Sequence, residues 1–212
     1  MIKKENYVKL KEKYGNIASW AIWDKPCKSE KNDDNISGEK WCLNDDELMK
    51  NIKTKYVLVA LNPHGDEDAE QSKEHDNILP WSQNFHTSAN DRKLRDAVRG
   101  TSFEGSYITD LFKRKPTNGE ERLKKEINED DEKKAVEELE KEIALISDNV
   151  ILIALGNKVF DVLIKHLSGP YVIRKIKHFA CWNSKKNHDK KSNDYREEIE
   201  NLIQRLEKKR NT

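Results

Sequence analysis

The chain has 212 residues, of which 35% are hydrophobic and 37% charged, and its 40 basic and 39 acidic side chains leave a net charge of +1. This length predicts one domain with a real core, and the balanced charge neither requires nor excludes a nucleic-acid partner, because only its distribution matters. The three cysteines include no C-x-x-C pair, which argues against a zinc knuckle or an iron–sulfur cluster.

The N-terminal quarter of the sequence contains a predicted helix, an aromatic segment and a polar loop. Residues 4–14 carry apolar side chains at helical spacing, and residues 17–23 are apolar and aromatic. A polar loop over residues 26–40 follows, and Asn44 is predicted as the N-cap of a short helix. We treat residues 1–53 as a helical and aromatic extension of the domain.

Strands and helices alternate through the rest of the chain. The four predicted strands are residues 56–61, 106–111, 149–155 and 171–179. The predicted helices are residues 90–98, 132–147, 158–167 and 194–208. Residues 113–130 are charged and predict an insertion loop. Such alternation predicts a three-layer α/β/α domain over residues 1–212, with a central four-stranded, mainly parallel sheet and its core in residues 54–212.

In such sheets the ligand site lies beyond the carboxyl ends of the strands. Polar residues follow each predicted strand. They are Asn62, Pro63, His64, Gly65 and Asp66 after the first, Asp110 at the second, Gly156 and Asn157 after the third, and His178, Trp182 and Asn183 after the fourth. The long loop after the first strand also holds Phe85 and His86.

No G-x-G-x-x-G motif, Walker lysine loop, H-E-x-x-H motif or G-x-S-x-G elbow is present, so we predict no cofactor and no metal. His64 with Asp66 and Asp68 leaves a metal-dependent hydrolase open, which loss of activity in chelator would reveal. The remaining neutral polar groups, histidines and aromatic ring suit recognition of a flat heterocycle, as in enzymes that take a base out of the DNA stack.

Residues 60–65, Ala-Leu-Asn-Pro-His-Gly, resemble the first motif of the uracil-DNA glycosylase superfamily, and are closest to the G-[IM]-N-P-G form of its mismatch-specific and single-strand-selective branches. Residues 85–94 resemble the F-A-H-P-A-N-R-F-W motif of the mismatch branch. Residues 150–156 and 177–180 take the places of the later motifs. Asp110 stands where the family often carries Asn, which favours a base other than plain uracil.

The resemblance implies a monofunctional DNA glycosylase with this family's fold, which hydrolyses an N-glycosidic bond and leaves an abasic site. Asn62 would orient the attacking water, Asp66 would supply a carboxylate, and His178 would stabilise the leaving base. The substrate-binding set would be Pro63, His64, Gly65, Phe85, His86, Asp110 and Asn157. The DNA-contacting set would be Lys113, Arg114, Trp182, Asn183, Lys185 and Lys186.

A second hypothesis is a catalytically inactive module on the same fold that binds nucleic acid, a nucleotide or a protein partner. Simpler interpretations also exist for single residues, with Phe85 as core packing, His178 as a strand-end hydrogen bonder and Asp110 as a cap. No segment of the sequence is apolar and long enough to be a signal peptide or a membrane span. We expect a cytoplasmic monomer that binds DNA and serves repair or defence against phage DNA.

Overall fold

The computed structural model describes residues 2–23, 45–63, 80–81, 85, 89–113, 123, 126–179 and 188–208. The helices are α1 Lys4–Tyr14, α2 Asp45–Asn51, α3 Ala89–Val98, α4 Glu129–Ile143, α5 Asn157–His166 and α6 His188–Lys208. The strands are β1 Ser19–Trp20, β2 Lys53–Ala60, β3 Ser106–Asp110, β4 Ile151–Leu155 and β5 Val172–Ile176.

The fold is mixed α/β with a mostly parallel central sheet, as the alternation predicts, but the prediction of four strands is wrong. Within the described residues, the sheet has five strands in the order β1-β3-β2-β4-β5. Strand β1 pairs antiparallel with β3 through Ser19 and Trp20, and the other neighbours are parallel. A two-residue strand is too short for its period to be visible in the sequence, which explains the miss.

The connections obey a single handedness. The chain moves from β2 to β3 through α3 on one face of the sheet, and returns across β2 to β4 through α4 on the opposite face. Helix α5 then lies on the α4 face and leads outward to β5. Right-handed crossovers that run in opposite directions across a parallel sheet must lie on opposite faces of it. The placement of α3 and α4 on opposite faces therefore agrees with the general preference for right-handed crossovers.

Two apolar cores, one on each face of the sheet, complete three layers. The α4-side core includes Leu10, Trp20, Val57, Tyr107, Leu139 and Val159. The α6-side core includes Leu58, Ala60, Phe85, Ile108, Phe179 and Ile199. Alternate residues of β2 and β3 enter opposite cores because successive side chains of a strand point to opposite faces. Strand β2 is apolar on both faces for this reason.

Residues 2–23 form part of this layered structure. Helix α1 buries Tyr7, Leu10 and Tyr14, and Trp20 is completely buried against the rings of Trp81 and Tyr107, with centroids 6.0 and 4.9 Å away. The segment predicted as an aromatic extension therefore supplies core side chains. Within the described part of the chain, no helix is long and apolar enough to cross a membrane.

Candidate functional site at the carboxyl edge of the sheet

Strands β2, β3, β4 and β5 run parallel, so their carboxyl ends share one edge of the sheet, which we call the carboxyl edge. The chain leaves β2 toward β3 on one side and leaves β4 toward β5 on the other. This divergence makes the gap between β2 and β4 the topological switch point, where ligands bind in open α/β sheets. The segments that flank it begin at Leu61 and at Gly156.

Asn62 lies on the β2 side of the switch point and is half-buried. Its amide nitrogen donates to the carbonyl oxygen of Pro63 at 3.0 Å, which closes a tight local turn. Val59 pairs with Ala154 in the sheet, and Asn62 follows the last residue of β2 by two positions. The residue predicted to hold water therefore lies at the switch point.

Gly156 directly follows β4, the strand that lies between β2 and β5. Its backbone has φ 108° and ψ 168°, a region open almost only to glycine. Its amide donates to the carbonyl of Ile176 at 2.9 Å, which ties the end of β4 to the end of β5. A Cβ atom on Gly156 would lie 3.6 Å from the Cβ of His178. The chain thus turns sharply into α5 directly beside His178.

His178 is half-buried two residues beyond β5, and its ring stacks on Phe179 with centroids 4.3 Å apart and planes 24° apart. Phe179 belongs to the α6-side core, so one face of the His178 imidazole packs against an apolar ring. Asn62 and His178 lie on strand ends separated by two strand spacings, or about 10 Å. The structure brings the two principal predicted residues to opposite sides of Gly156.

Asp110 is the last residue of β3 and pairs in register with Ala60. It is 1% exposed. It lies two residues after Ile108 in the same strand, so its side chain is on the same face of the sheet as that of Ile108, which packs in the α6-side core. The next two amides, of Leu111 and Phe112, donate to the carbonyls of Ala60 and Leu61, both at 2.9 Å. The β3 end therefore accompanies β2 as far as the residue before Asn62.

The predicted contact of Lys113 with DNA is wrong. Its side chain is 0% exposed, and Nζ lies 2.7 Å from Oε2 of Glu142, which is equally buried. Its Nζ also donates to the carbonyl oxygen of Asp110 at 2.7 Å. An ammonium enclosed in the α4-side core cannot reach a phosphate, so Lys113 leaves the DNA-contacting set. The predicted insertion loop also begins with this buried residue, and its last two residues already belong to α4.

Glu142 also accepts hydrogen bonds from Tyr107 Oη at 2.7 Å and Thr109 Oγ1 at 2.9 Å. Burial, the charge of Glu142 and this hydrogen bond together raise the pKa of Tyr107 well above its usual range. Glu142 is absent from the residues predicted from the sequence, although the sequence carries a signal for it. An acid three residues after Leu139 falls on the apolar face of an amphipathic helix, where a charge needs a buried partner.

Phe85 is the residue predicted to stack on a base. The ring is 5% exposed and packs in the α6-side core with Ala60 and Phe179, so core packing describes its present contacts. Its backbone has φ 68°, a left-handed conformation unusual for a phenylalanine. Trp23 Nε1 donates to its carbonyl oxygen at 3.1 Å. Phe85 lies in the core cluster that also contains the β2 residue two positions before Asn62.

Two further predicted residues lie in the same region. Pro63 is half-buried next to Asn62, and Asn157 is exposed as the first residue of α5. The remaining predicted site residues lie outside the described residues. They are His64, Gly65, Asp66, His86, Arg114, Trp182, Asn183, Lys185 and Lys186.

Among the described residues no group of three or more His, Cys, Asp or Glu side chains could hold a metal ion. Comparison with protein-family models, curated protein sequences and solved structures finds no match to this chain. The resemblance to the glycosylase superfamily therefore rests on the short motifs and their order. The structure establishes the broader class, a mixed α/β fold with a mostly parallel five-stranded sheet.

Proposed function

We propose that the chain is a DNA glycosylase of the uracil-DNA glycosylase type that releases a flipped-out base from DNA. The supporting observation is the placement of Asn62 and His178 on either side of Gly156 at the switch point of the sheet. The motif resemblance names the same two residues that follow β2 and β5. Their placement at one edge of the sheet supports the assignment together with the motifs.

The two residues have complementary roles in this reaction. The transition state carries positive charge on the sugar and negative charge on the base. His178 can donate to the departing base, and electrostatic stabilisation of this kind usually contributes more to catalysis than any other effect. Asn62 orients the attacking water, because its amide does not titrate and cannot act as a general base. Their strand ends lie about 10 Å apart, and Gly156 at the end of the intervening strand β4 has no side chain that would fill the space between them.

The test uses the purified full chain and single-base oligonucleotides. The panel contains uracil, a G·T mismatch, hydroxymethyluracil and glycosylated hydroxymethylcytosine, and alkali-labile sites report base release. We expect cleavage of at least one substrate, and a loss of about a hundredfold in rate for Asn62→Ala and for His178→Ala. Asn201→Ala, on the exposed face of α6, is the matched control. No base release from any substrate of the panel would refute the proposal.

The inactive binding module remains the alternative because Phe85 is packed in the core. It predicts that Asn62→Ala and His178→Ala leave DNA binding intact, and that charge reversal of the lysines in residues 185–191 abolishes it. Base release by the unaltered protein would decide against this alternative.

A further inference from the structure

Lys113 and Glu142 form a buried ion pair that overall stability alone does not explain. Both side chains are 0% exposed, and their Nζ and Oε2 atoms are 2.7 Å apart. Burying two charges costs about as much as their attraction returns, and apolar replacements of such pairs are often neutral or stabilising. The pair therefore calls for a reason other than stability alone.

The hydrogen bonds of the pair single out one stretch of backbone. Lys113 Nζ donates to the carbonyl of Asp110 at 2.7 Å, so the side chain folds back and closes the turn over residues 110–113. The ring centroid of Tyr14 lies 6.0 Å from the same Nζ. Glu142 reaches from α4 to Tyr107 and Thr109 of β3. The network thus fastens the end of β3 and its turn to two helices.

The fastened turn is coupled to the candidate site through the backbone. The amides of Leu111 and Phe112 donate to the carbonyls of Ala60 and Leu61. Leu61 directly precedes Asn62, so a shift of residues 110–112 would move the peptide that carries Asn62. Asp110, buried at the same edge, would move with it.

We propose that Lys113 and Glu142 are positioning residues that hold the end of β3, and through it Asn62, at the carboxyl edge of the sheet. The proposal rests on the proposed function for its catalytic consequence, but its structural content is independent. A pair that only adds stability would protect the whole sheet equally. A positioning pair protects chiefly Leu111 and Phe112.

The experiment is amide hydrogen exchange on the full chain carrying Lys113→Met with Glu142→Gln. The introduced glutamine keeps an acceptor for Tyr107 and Thr109, and no buried charge is left alone. We expect exchange at Leu111 and Phe112 to accelerate by about tenfold or more, while Val57 and Val59 of the central strand stay within about twofold. Unchanged exchange at Leu111 and Phe112, or equal acceleration at all four amides, would overturn the proposal.

Two further variants of the chain serve as comparisons in this experiment. Lys11→Met with Asp45→Asn removes an exposed pair and should leave all four amides unchanged. Lys113→Arg keeps a cation beside Glu142 and N–H donors for the Asp110 carbonyl, so we expect less acceleration at Leu111 and Phe112 than in the double variant. If Lys113→Arg and the double variant accelerate these two amides equally in a folded protein, the cation and its donor do not hold the turn, and the proposal fails.

Base release supplies the functional arm. On a substrate that the unaltered chain cleaves, the double variant should lose about tenfold or more in kcat with KM changed by less than about threefold. A double variant with full kcat would remove the catalytic consequence. If the unaltered chain releases no base from any oligonucleotide, the proposed function fails, while the exchange experiment still decides whether Lys113 and Glu142 position the strand end.

Discussion

At the scale of single residues, Gly156 combines an unusual backbone conformation with a position next to His178 in the candidate site. It is the N-cap residue before α5 and supplies no side-chain hydrogen bond, and its φ of 108° and ψ of 168° admit almost no other residue. A Cβ atom built on Gly156 would lie 3.6 Å from the Cβ of His178. Any side chain introduced there would strain the backbone beside His178.

Gly156→Ala should lower the free energy of unfolding by about 1–3 kcal/mol, because alanine must adopt a conformation that its Cβ disfavours. Gly100→Ala is the matched control. Gly100 has φ 75°, closer to the ordinary left-handed region, and we expect a loss of only about 1 kcal/mol. Urea denaturation monitored by circular dichroism measures both values. Equal losses at the two positions would contradict the assignment of special strain to Gly156.

At the scale of secondary-structure elements, α4 and α5 are joined by a charged cluster around Glu132. Lys158 in the first turn of α5 bonds to Glu132 at 2.5 Å, and His166 in its last turn bonds to Glu132 at 3.0 Å. Burial opposes ionisation of Glu132, but the hydrogen bonds from Lys158 and His166 and the nearby lysine charges outweigh it and lower its pKa. Both ends of α5 are therefore anchored to one carboxylate.

This lowered pKa predicts how stability depends on pH. The folded state binds a proton at Glu132 more weakly than the unfolded state, whose pKa is near the ordinary 4.5. The stabilisation is therefore complete above that value and is lost as pH falls through the lower, folded value. We expect Glu132→Gln to cost about 1–3 kcal/mol at neutral pH, and the difference from the unaltered chain to shrink in acid. Chemical denaturation at several pH values, with Glu137→Gln as the exposed control on α4, tests this. A difference independent of pH would contradict it.

The start of α4 has a complete capping box. The side-chain oxygen of Asn128 accepts from the amides of Asp130 and Asp131 at 2.9 and 3.0 Å, and Asp131 accepts from the amide of Asn128 at 3.0 Å. Asn128→Ala should therefore lower the free energy of unfolding by about 1 kcal/mol. Asn128→Asp keeps an acceptor oxygen, so its free energy of unfolding should remain close to that of the unaltered chain. Thermal denaturation of the three proteins measures these differences. Equal stability of the alanine variant would show that the cap contributes nothing.

At the scale of the whole molecule, the N-terminal segment and the central sheet share buried aromatic rings. Trp20 lies between Trp81 and Tyr107, and Trp81 Nε1 donates to Tyr7 Oη at 3.1 Å. The backbone amide of Trp81 donates to Gly15, and Ser19 Oγ donates to the carbonyl of Trp81. Helix α1, strand β1 and Trp81 are thus connected to the same core as β3.

Shared burial predicts one cooperative unfolding transition. Tryptophan fluorescence and far-ultraviolet circular dichroism should give coincident urea curves. Trp20→Ala should shift both curves together, with a loss of about 3–5 kcal/mol for a large buried ring, whereas Trp20→Phe should lose less. Two separated transitions, or a shift confined to the fluorescence curve, would show that residues 2–23 unfold independently.

Local patterns were sufficient where burial produces a period in the sequence. The bounds of α1 agree with the prediction, and the predicted strands coincide with β2 to β5 within a few residues, because dense apolar runs and amphipathic faces follow directly from packing. The ends of these strands, and hence Asn62 and His178 as candidates, follow from the same pattern. Strand β1 could not be found in this way, since two residues have no period.

The sequence by itself determined the alternation of strands and helices and the residues that follow each strand. The tertiary structure decided which of those residues meet. Strand order, which no local pattern records, placed Gly156 between Asn62 and His178. It also buried Lys113 against Glu142, a residue far along the chain, because the crossover through α4 returns over β3. Such pairings depend on contacts between distant segments, and a charged side chain has the same appearance in the sequence whether it faces water or a partner.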